Sequence, residues 1–204
     1  KRILVDCGLF QGSKYAEGFN YADFKYDPAL VDFVLVTHSH IDHIGRLPKL
    51  YKAGFKGTVY TTGATKDLMA IALPDNMRLI LEEAKDDGHE PLFTDEHINQ
   101  FLGLVRGIFY KQEVDLGNDI KAIFHDAGHI LGSAIIEINW LDNGKIKKIF
   151  FSGDLGNPPT PLLKPTEFVK DADYLVIESV YGDRIHEARY ERQNKLREVI
   201  RAVI

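Results

Sequence analysis

Phe33-Val34-Leu35-Val36-Thr37-His38-Ser39-His40-Ile41-Asp42-His43 is the stretch on which the reading of this chain turns. Its first half is an apolar, β-branched run and predicts a buried strand over Phe33–Thr37. Its second half packs three histidines and one aspartate into six positions. His38 and His40 stand at i and i+2, and on an extended segment such side chains point to one side and can reach one ion. Asp42 and His43 open a predicted helix, Asp42–Ala53, so a carboxylate and another imidazole project from the same turn. Neutral imidazole with carboxylate suits zinc, with manganese or iron as the other candidates. One histidine in a polar turn would carry no such reading, but this density behind a buried strand does.

Two later positions complete the set. His129 lies in Asp126-Ala127-Gly128-His129-Ile130-Leu131-Gly132-Ser133, a glycine-flanked turn between predicted strands. The glycines permit the close backbone approach that a ligand turn needs. Asp154 lies in Phe151-Ser152-Gly153-Asp154-Leu155-Gly156, directly after another predicted strand, where a carboxylate can bridge two ions. Either position alone is weak, and the first motif gives both their weight.

Around these motifs the pattern alternates between strand and helix. Ile3–Cys7 and Thr58–Thr61 read as strands. Ala64–Ala72 and Asp75–Asp87 read as two helices separated by Pro74, and Pro48 is awkward inside the helix from Asp42. Thr94 is a predicted N-cap for a helix to about Arg106. Phe109–Val114, Ile120–His125, Ser133–Trp140, Lys145–Phe151 and Tyr174–Glu178 then have β character, with Asn143-Gly144 as a type I′ hairpin signal. From about His186 the chain is helical and strongly charged. Sheets with helices outside them is the expected architecture.

The bulk numbers narrow the classes. The chain has 204 residues, of which 45% are hydrophobic and 27% charged. That is ordinary globular composition and argues against disorder. No apolar run approaches the roughly 20 residues that span a bilayer, so no membrane is expected. The single Cys7 allows no internal disulfide and fits a cytoplasmic setting. A net charge of −5 carries no bulk basic signature, although a nuclease needs only a local basic channel. The start at Lys1-Arg2 without Met leads us to expect a fragment, incomplete at both ends.

The assembled motifs resemble the metallo-β-lactamase superfamily, with its His-x-His-x-Asp-His signature and distant His and Asp. Leu4-Val5-Asp6-Cys7-Gly8-Leu9-Phe10-Gln11-Gly12, Gly128–Ser133 and Glu178-Ser179-Val180-Tyr181-Gly182-Asp183-Arg184 are similar to motifs of its β-CASP branch, the RNA- and DNA-processing nucleases. Val180 departs from the Thr or Ser common there. The resemblance implies an αββα sandwich of two mixed sheets flanked by helices. It implies a metallo-β-lactamase domain over 1–180 and, over 181–204, the start of an inserted β-CASP domain. By the same resemblance His38, His40 and His129 hold one metal, Asp42 and His43 a second, and Asp154 bridges. Asp42, Asp154 and Glu178 are then the catalytic carboxylates, and Asp6 orients the ligand loop. The branch also supplies a further His to the second metal, and that ligand is expected beyond Ile204.

The expected function is a metal-dependent ribonuclease in which a hydroxide bridging two zinc ions attacks an RNA phosphodiester. DNA is the alternative polymer, and a homo-oligomer is an open possibility. The alternatives are a small-molecule hydrolase acting on thioesters or lactones and a non-catalytic scaffold subunit of an RNA-processing complex. His89, His97 and His186 are read as loop or surface residues, and His125 as a weaker candidate for approaching the site. Arg46, Lys49, Lys52 and Lys56 read first as a solvated face beside the metal helix.

Overall fold

A computed structural model of the chain describes residues 1–86, 88, 90–157, 159–183 and 189–203. The expectations for His89, Arg184 and His186 lie outside the described residues.

The first sheet has four strands in the order β1 (Ile3–Val5), β2 (Phe33–Leu35), β3 (Thr58–Thr62) and β4 (Val105–Ile108). Every pairing in it is parallel, with Ile3 opposite Phe33, Phe33 opposite Thr58 and Val59 opposite Val105. A parallel sheet is buried on both faces, and the strands alternate accordingly. Leu4, Val34, Val36, Val59 and Val105 pack into a core with the helices. Ile3, Val5, Phe33, Leu35, Tyr60 and Ile108 pack against the second sheet. Two mixed sheets were expected, but this one is parallel throughout its described pairings.

The second sheet runs β5 (Glu113–Gly117), β6 (Ile120–Asp126), β7 (Ala134–Asp142), β8 (Lys145–Phe151) and β9 (Tyr174–Val176). Its first four strands are antiparallel and β9 joins parallel to β8, so this sheet is mixed as expected. Ala122, Phe124, Ile136 and Ile138 turn inward against the first sheet. Asn143 and Gly144 take φ of 50° and 78°, the two left-handed residues that a type I′ turn demands.

Helices α1 (Lys14–Gly18), α2 (Ile41–Ile44), α3 (Leu47–Lys52), α4 (Gly63–Asp86) and α5 (Asp95–Leu102) lie on the connections of the first sheet. The single helix expected over Asp42–Ala53 is two. Gly45 and Arg46 interrupt it, the Arg46 amide bonds to Cys7 O at 2.9 Å, and Pro48 falls in the first turn of α3, where its missing N–H costs nothing. Conversely, the two helices expected around Pro74 are one, with Pro74 inside it. Met69, Leu73, Met77 and Ile80 hold one buried stripe through the proline, and that burial overrides the lost hydrogen bond.

The helix expected to reach Arg106 ends at Leu102, and Val105–Ile108 pairs with β3 instead. Lys14–Gly18, with no buried residue, left no periodic signal to read. The last helix, α6 (Arg189–Val203), exposes its described side chains from Glu191 to Val203. Two sheets with helices over the first of them therefore form the body of the fold.

Candidate metal centre

The site is assembled where both sheets end. His38 follows the C-terminal end of β2 and is fully buried. His40 is the N-cap residue of α2, and Asp42 and His43 lie in its only turns. His129 sits in the β6–β7 connection and Asp154 just beyond β8. All of the sequence-predicted ligands converge here.

Asp6 organizes the buried side. It sits at φ 57°, a left-handed conformation that costs a non-glycine residue about 1 kcal/mol, and its amide bonds to Leu35 O at 3.0 Å. Its Oδ1 accepts from the Thr37 amide at 2.8 Å, and its Oδ2 accepts from Thr37 Oγ1 at 2.7 Å and from His43 Nδ1 at 2.8 Å. Since the Thr37 hydroxyl proton goes to Asp6, its oxygen accepts from His38 Nδ1 at 3.0 Å. This network assigns the protons of both rings to Nδ1 and leaves both Nε2 lone pairs facing inward.

The inward atoms meet closely. His38 Nε2 lies 3.0 Å from His40 Nδ1, which lies 3.1 Å from His129 Nε2. These three nitrogens and an oxygen of Asp154 all lie within 4.8 Å of one another. Bonds of about 2.0–2.1 Å to a tetrahedral zinc set donors about 3.3 Å apart, so this set fits the ion. Asp154 divides its two oxygens. Oδ2 lies 3.7 Å from His38 Nε2 and 3.5 Å from His129 Nε2, while Oδ1 lies 3.3 Å from His43 Nε2. Asp42 Oδ2 is 3.8 Å from that same His43 nitrogen. The donors therefore fall into two groups on either side of one carboxylate.

The imidazoles do not share one protonation tendency. Burial, reinforced by the neighboring His43, His40 and His129, pushes His38 down to about 2. Burial also lowers His129, against the pull of Asp154. Burial works to lower His43 as well, but the hydrogen bond to Asp6 and the charges of Asp6, Asp154 and Asp42 outweigh it and leave His43 raised.

Supporting contacts extend outward. Glu178 Oε1 accepts from the Leu155 amide at 2.9 Å, so it holds the backbone one residue past Asp154. Ser133 Oγ accepts from the His129 and Ile130 amides at 3.1 and 3.2 Å. Thr62 and Thr65 hydroxyls donate to Gly132 O at 2.7 and 2.9 Å and seat the same turn on the start of α4. Gly132 has φ +83°, and a β-carbon there would come 2.6 Å from the Thr65 amide nitrogen. Sequence reasoning missed Thr37, Thr62, Thr65 and Ser133. A hydroxyl residue at a strand end or in a first helical turn looks the same in the sequence whether it supports a ligand or merely continues its element.

The remaining expectations resolve elsewhere. His125 does not join the site; its Nε2 pairs with Glu137 Oε2 at 2.7 Å. His97 completes a capping box with Thr94. Of the basic residues read as a solvated face, Lys52 and Lys56 are exposed and Arg46 and Lys49 half-buried, and each has a particular partner. Lys49 Nζ is spent on the carbonyls of Asn20 and Ala22, Lys52 reaches Leu92 O, Lys56 lies over Tyr51, and Arg46 Nε donates to Gly8 O.

The sequence model of the metallo-β-lactamase superfamily matches residues 1–174. The chain belongs to the metallo-β-lactamase superfamily. Among characterized relatives, it is 38% identical over 200 residues to Ribonuclease TTHA0252 of Thermus thermophilus, covering 98% of this chain and 43% of that protein. It is 35% identical over 214 residues to Transcription termination factor FttA of Pyrococcus horikoshii, covering 99% of this chain and 32% of the relative. It is 31% identical over 206 residues to Cleavage and polyadenylation specificity factor subunit 3-I of Arabidopsis thaliana, covering 100% of this chain and 28% of the relative. The match to these relatives over nearly the whole of this chain agrees with the β-CASP branch that the motifs resemble. The chain spans less than half the length of each. Among the described residues, no helix is long and apolar enough to cross a membrane.

Proposed function

We propose that this protein is a ribonuclease that cleaves RNA phosphodiester bonds with two zinc ions. The observation that supports it is the split carboxylate of Asp154, with His38, His40 and His129 on one side and His43 and Asp42 on the other. In this reading His38, His40 and His129 would hold the first ion and Asp42 and His43 the second, with Asp154 offering one oxygen to each group. When bound, the pair supplies positive charge at the phosphate oxygens and a water acidified toward a pKa of about 7. Asp6 fixes the tautomers of His38 and His43. Asp42, with its side chain 48% exposed, would hold the second ion while keeping a solvent-facing carboxylate oxygen on which a proton would be received. Glu178 positions Asp154 through the Leu155 amide. RNA as the polymer rests on the relatives' names. Residues 1–180 belong to the metallo-β-lactamase domain and 181–204 to the start of an inserted one.

The test incubates the intact protein with a labeled oligoribonucleotide, with and without chelator, beside thioester and lactone substrates. Cleavage of RNA that disappears with chelator and returns with zinc is expected, and Asp154→Asn should abolish it. Hydrolysis of the small esters alone, or no metal above background with His40→Ala unchanged, would overturn the reading.

A further inference from the structure

On the segment that runs from Asp6 past the ligand helix, the surface carries an aromatic cluster that no role described above uses. Phe10 is 44% exposed, Phe19 44% and Tyr15 82%. Phe10 and Phe19 meet edge-on with centroids 5.9 Å apart, and Tyr15 meets Phe19 the same way at 5.2 Å. Single exposed apolar side chains are ordinary, but three aromatic rings in mutual contact on one surface form a patch of the kind that marks a contact site.

Phe10 is held in place rather than left loose. The buried Asn20 accepts from the Phe10 amide at 2.8 Å and donates to the Phe10 carbonyl at 2.9 Å. The Arg46 guanidinium lies over the ring, 4.4 Å from its centroid. The same segment is locked to the ligand helix. The Leu9 amide bonds to Ile41 O at 3.0 Å, and a β-carbon on Gly8 would fall on the Asp42 carbonyl. Phe10 therefore follows directly on Leu9, the residue bonded to the helix that carries Asp42 and His43.

We infer that Phe10, backed by Arg46 and extended by Phe19 and Tyr15, is a stacking subsite for an unpaired nucleobase of the RNA strand whose phosphate lies at the metal centre. The inference rests on the ribonuclease reading and deepens it. Every base has a π-face, so such a ring grips a single strand without reading its sequence. The guanidinium adds a cation to the stack and attracts the adjoining phosphate. The subsite holds the strand and takes no part in bond breaking.

The experiment compares wild type, Phe10→Ala, Phe10→Leu, Phe10→Trp and Tyr15→Ala in the intact protein. Each is checked for metal content and melting temperature, then assayed for KM and kcat on an oligoribonucleotide. A single abasic nucleotide is walked along that oligonucleotide. Phe10→Ala and Phe10→Leu should raise KM about tenfold with kcat little changed, and Phe10→Trp should restore it. In wild type one abasic position near the cut should raise KM by a similar factor, and that sensitivity should vanish in Phe10→Ala. Tyr15→Ala, too exposed to hold the fold, should give a smaller rise.

Wild type that cleaves RNA while Phe10→Leu matches it, or while no abasic position matters, overturns the subsite and leaves the ribonuclease reading standing. Substitution that changes the protein's oligomeric size instead of KM assigns the cluster to a protein contact and also overturns it. Wild type that neither binds nor cleaves RNA overturns both readings.

Discussion

A few side chains decide the electrostatics of this protein. Asp6 is the clearest, since one carboxylate receives Thr37 twice and His43 once, and through Thr37 also steers His38. Asp6→Asn keeps the size but removes the charge and one acceptor. It should weaken zinc binding roughly 10- to 100-fold in a chelator-competition titration, with the fold retained by circular dichroism. Away from the site, Glu137 is nearly buried between His125, at 2.7 Å, and Lys148, at 3.4 Å. Burial works to raise its pKa, but hydrogen bonds to His125 and Asn139 and the charges of Lys148 and His125 prevail, and it stands below the ordinary carboxylate value. A carboxylate depressed in the folded state stabilizes above its unfolded pKa, about 4.3, and loses that contribution as pH falls through the lower folded value. Urea unfolding from about pH 6 to about pH 3 should therefore show a steeper acid loss for wild type than for Glu137→Gln.

At the scale of elements, burial overrules local propensity in one helix and backbone contacts overrule it in another. Helix α4 runs through Pro74 because Met69, Leu73, Met77 and Ile80 are all buried on one stripe. Pro74 itself is exposed and removes a donor without filling the core. Pro74→Ala should raise stability by about 1–2 kcal/mol, the helix gain of about 3 less the chain entropy that proline had removed from the unfolded state. A rise in melting temperature checks it, and no change would mean that the helix has already adapted to the ring. The break between α2 and α3 has the opposite origin. The Gly45 amide still bonds to Ile41 O at 2.7 Å, but a β-carbon there would meet Leu9, and the Arg46 amide is diverted to Cys7 O while the Cys7 amide bonds to His43 O, so α2 is tied to the segment after β1.

For the molecule as a whole, the donors come from the ends of two sheets and from segments as far apart as His38 and Asp154. A cation that joins them binds the folded state and not the unfolded chain. Zinc at 1,000 times its dissociation constant should then stabilize by about 4 kcal/mol, read as a melting temperature that rises with zinc and falls with chelator. His129→Ala removes the donor from the β6–β7 turn and should blunt that shift. A melting temperature indifferent to zinc and chelator would argue that the cluster holds no ion.

The sequence by itself determined which donor residues the fold brings together. Six ligand candidates were legible because close spacing behind a strand, and glycine-flanked turns after others, are local features that need no neighbors to be seen, whereas Asp6 was legible only through the family resemblance of its segment. Most strands were legible too, since their alternation is written in consecutive residues, and the Asn143-Gly144 turn was legible from its φ demands. Tertiary structure alone decided the rest. Val105–Ile108 became a strand through pairing with β3, Pro74 stayed helical through a buried stripe, and the basic residues near α2 were drawn to particular carbonyls and rings. It also decided how Asp154 divides its oxygens and how Thr37, Ser133, Thr62 and Thr65 support the ligands. These outcomes depend on which distant atoms arrive at hydrogen-bonding distance, and that is set by the packing of the two sheets rather than by any local run of residues.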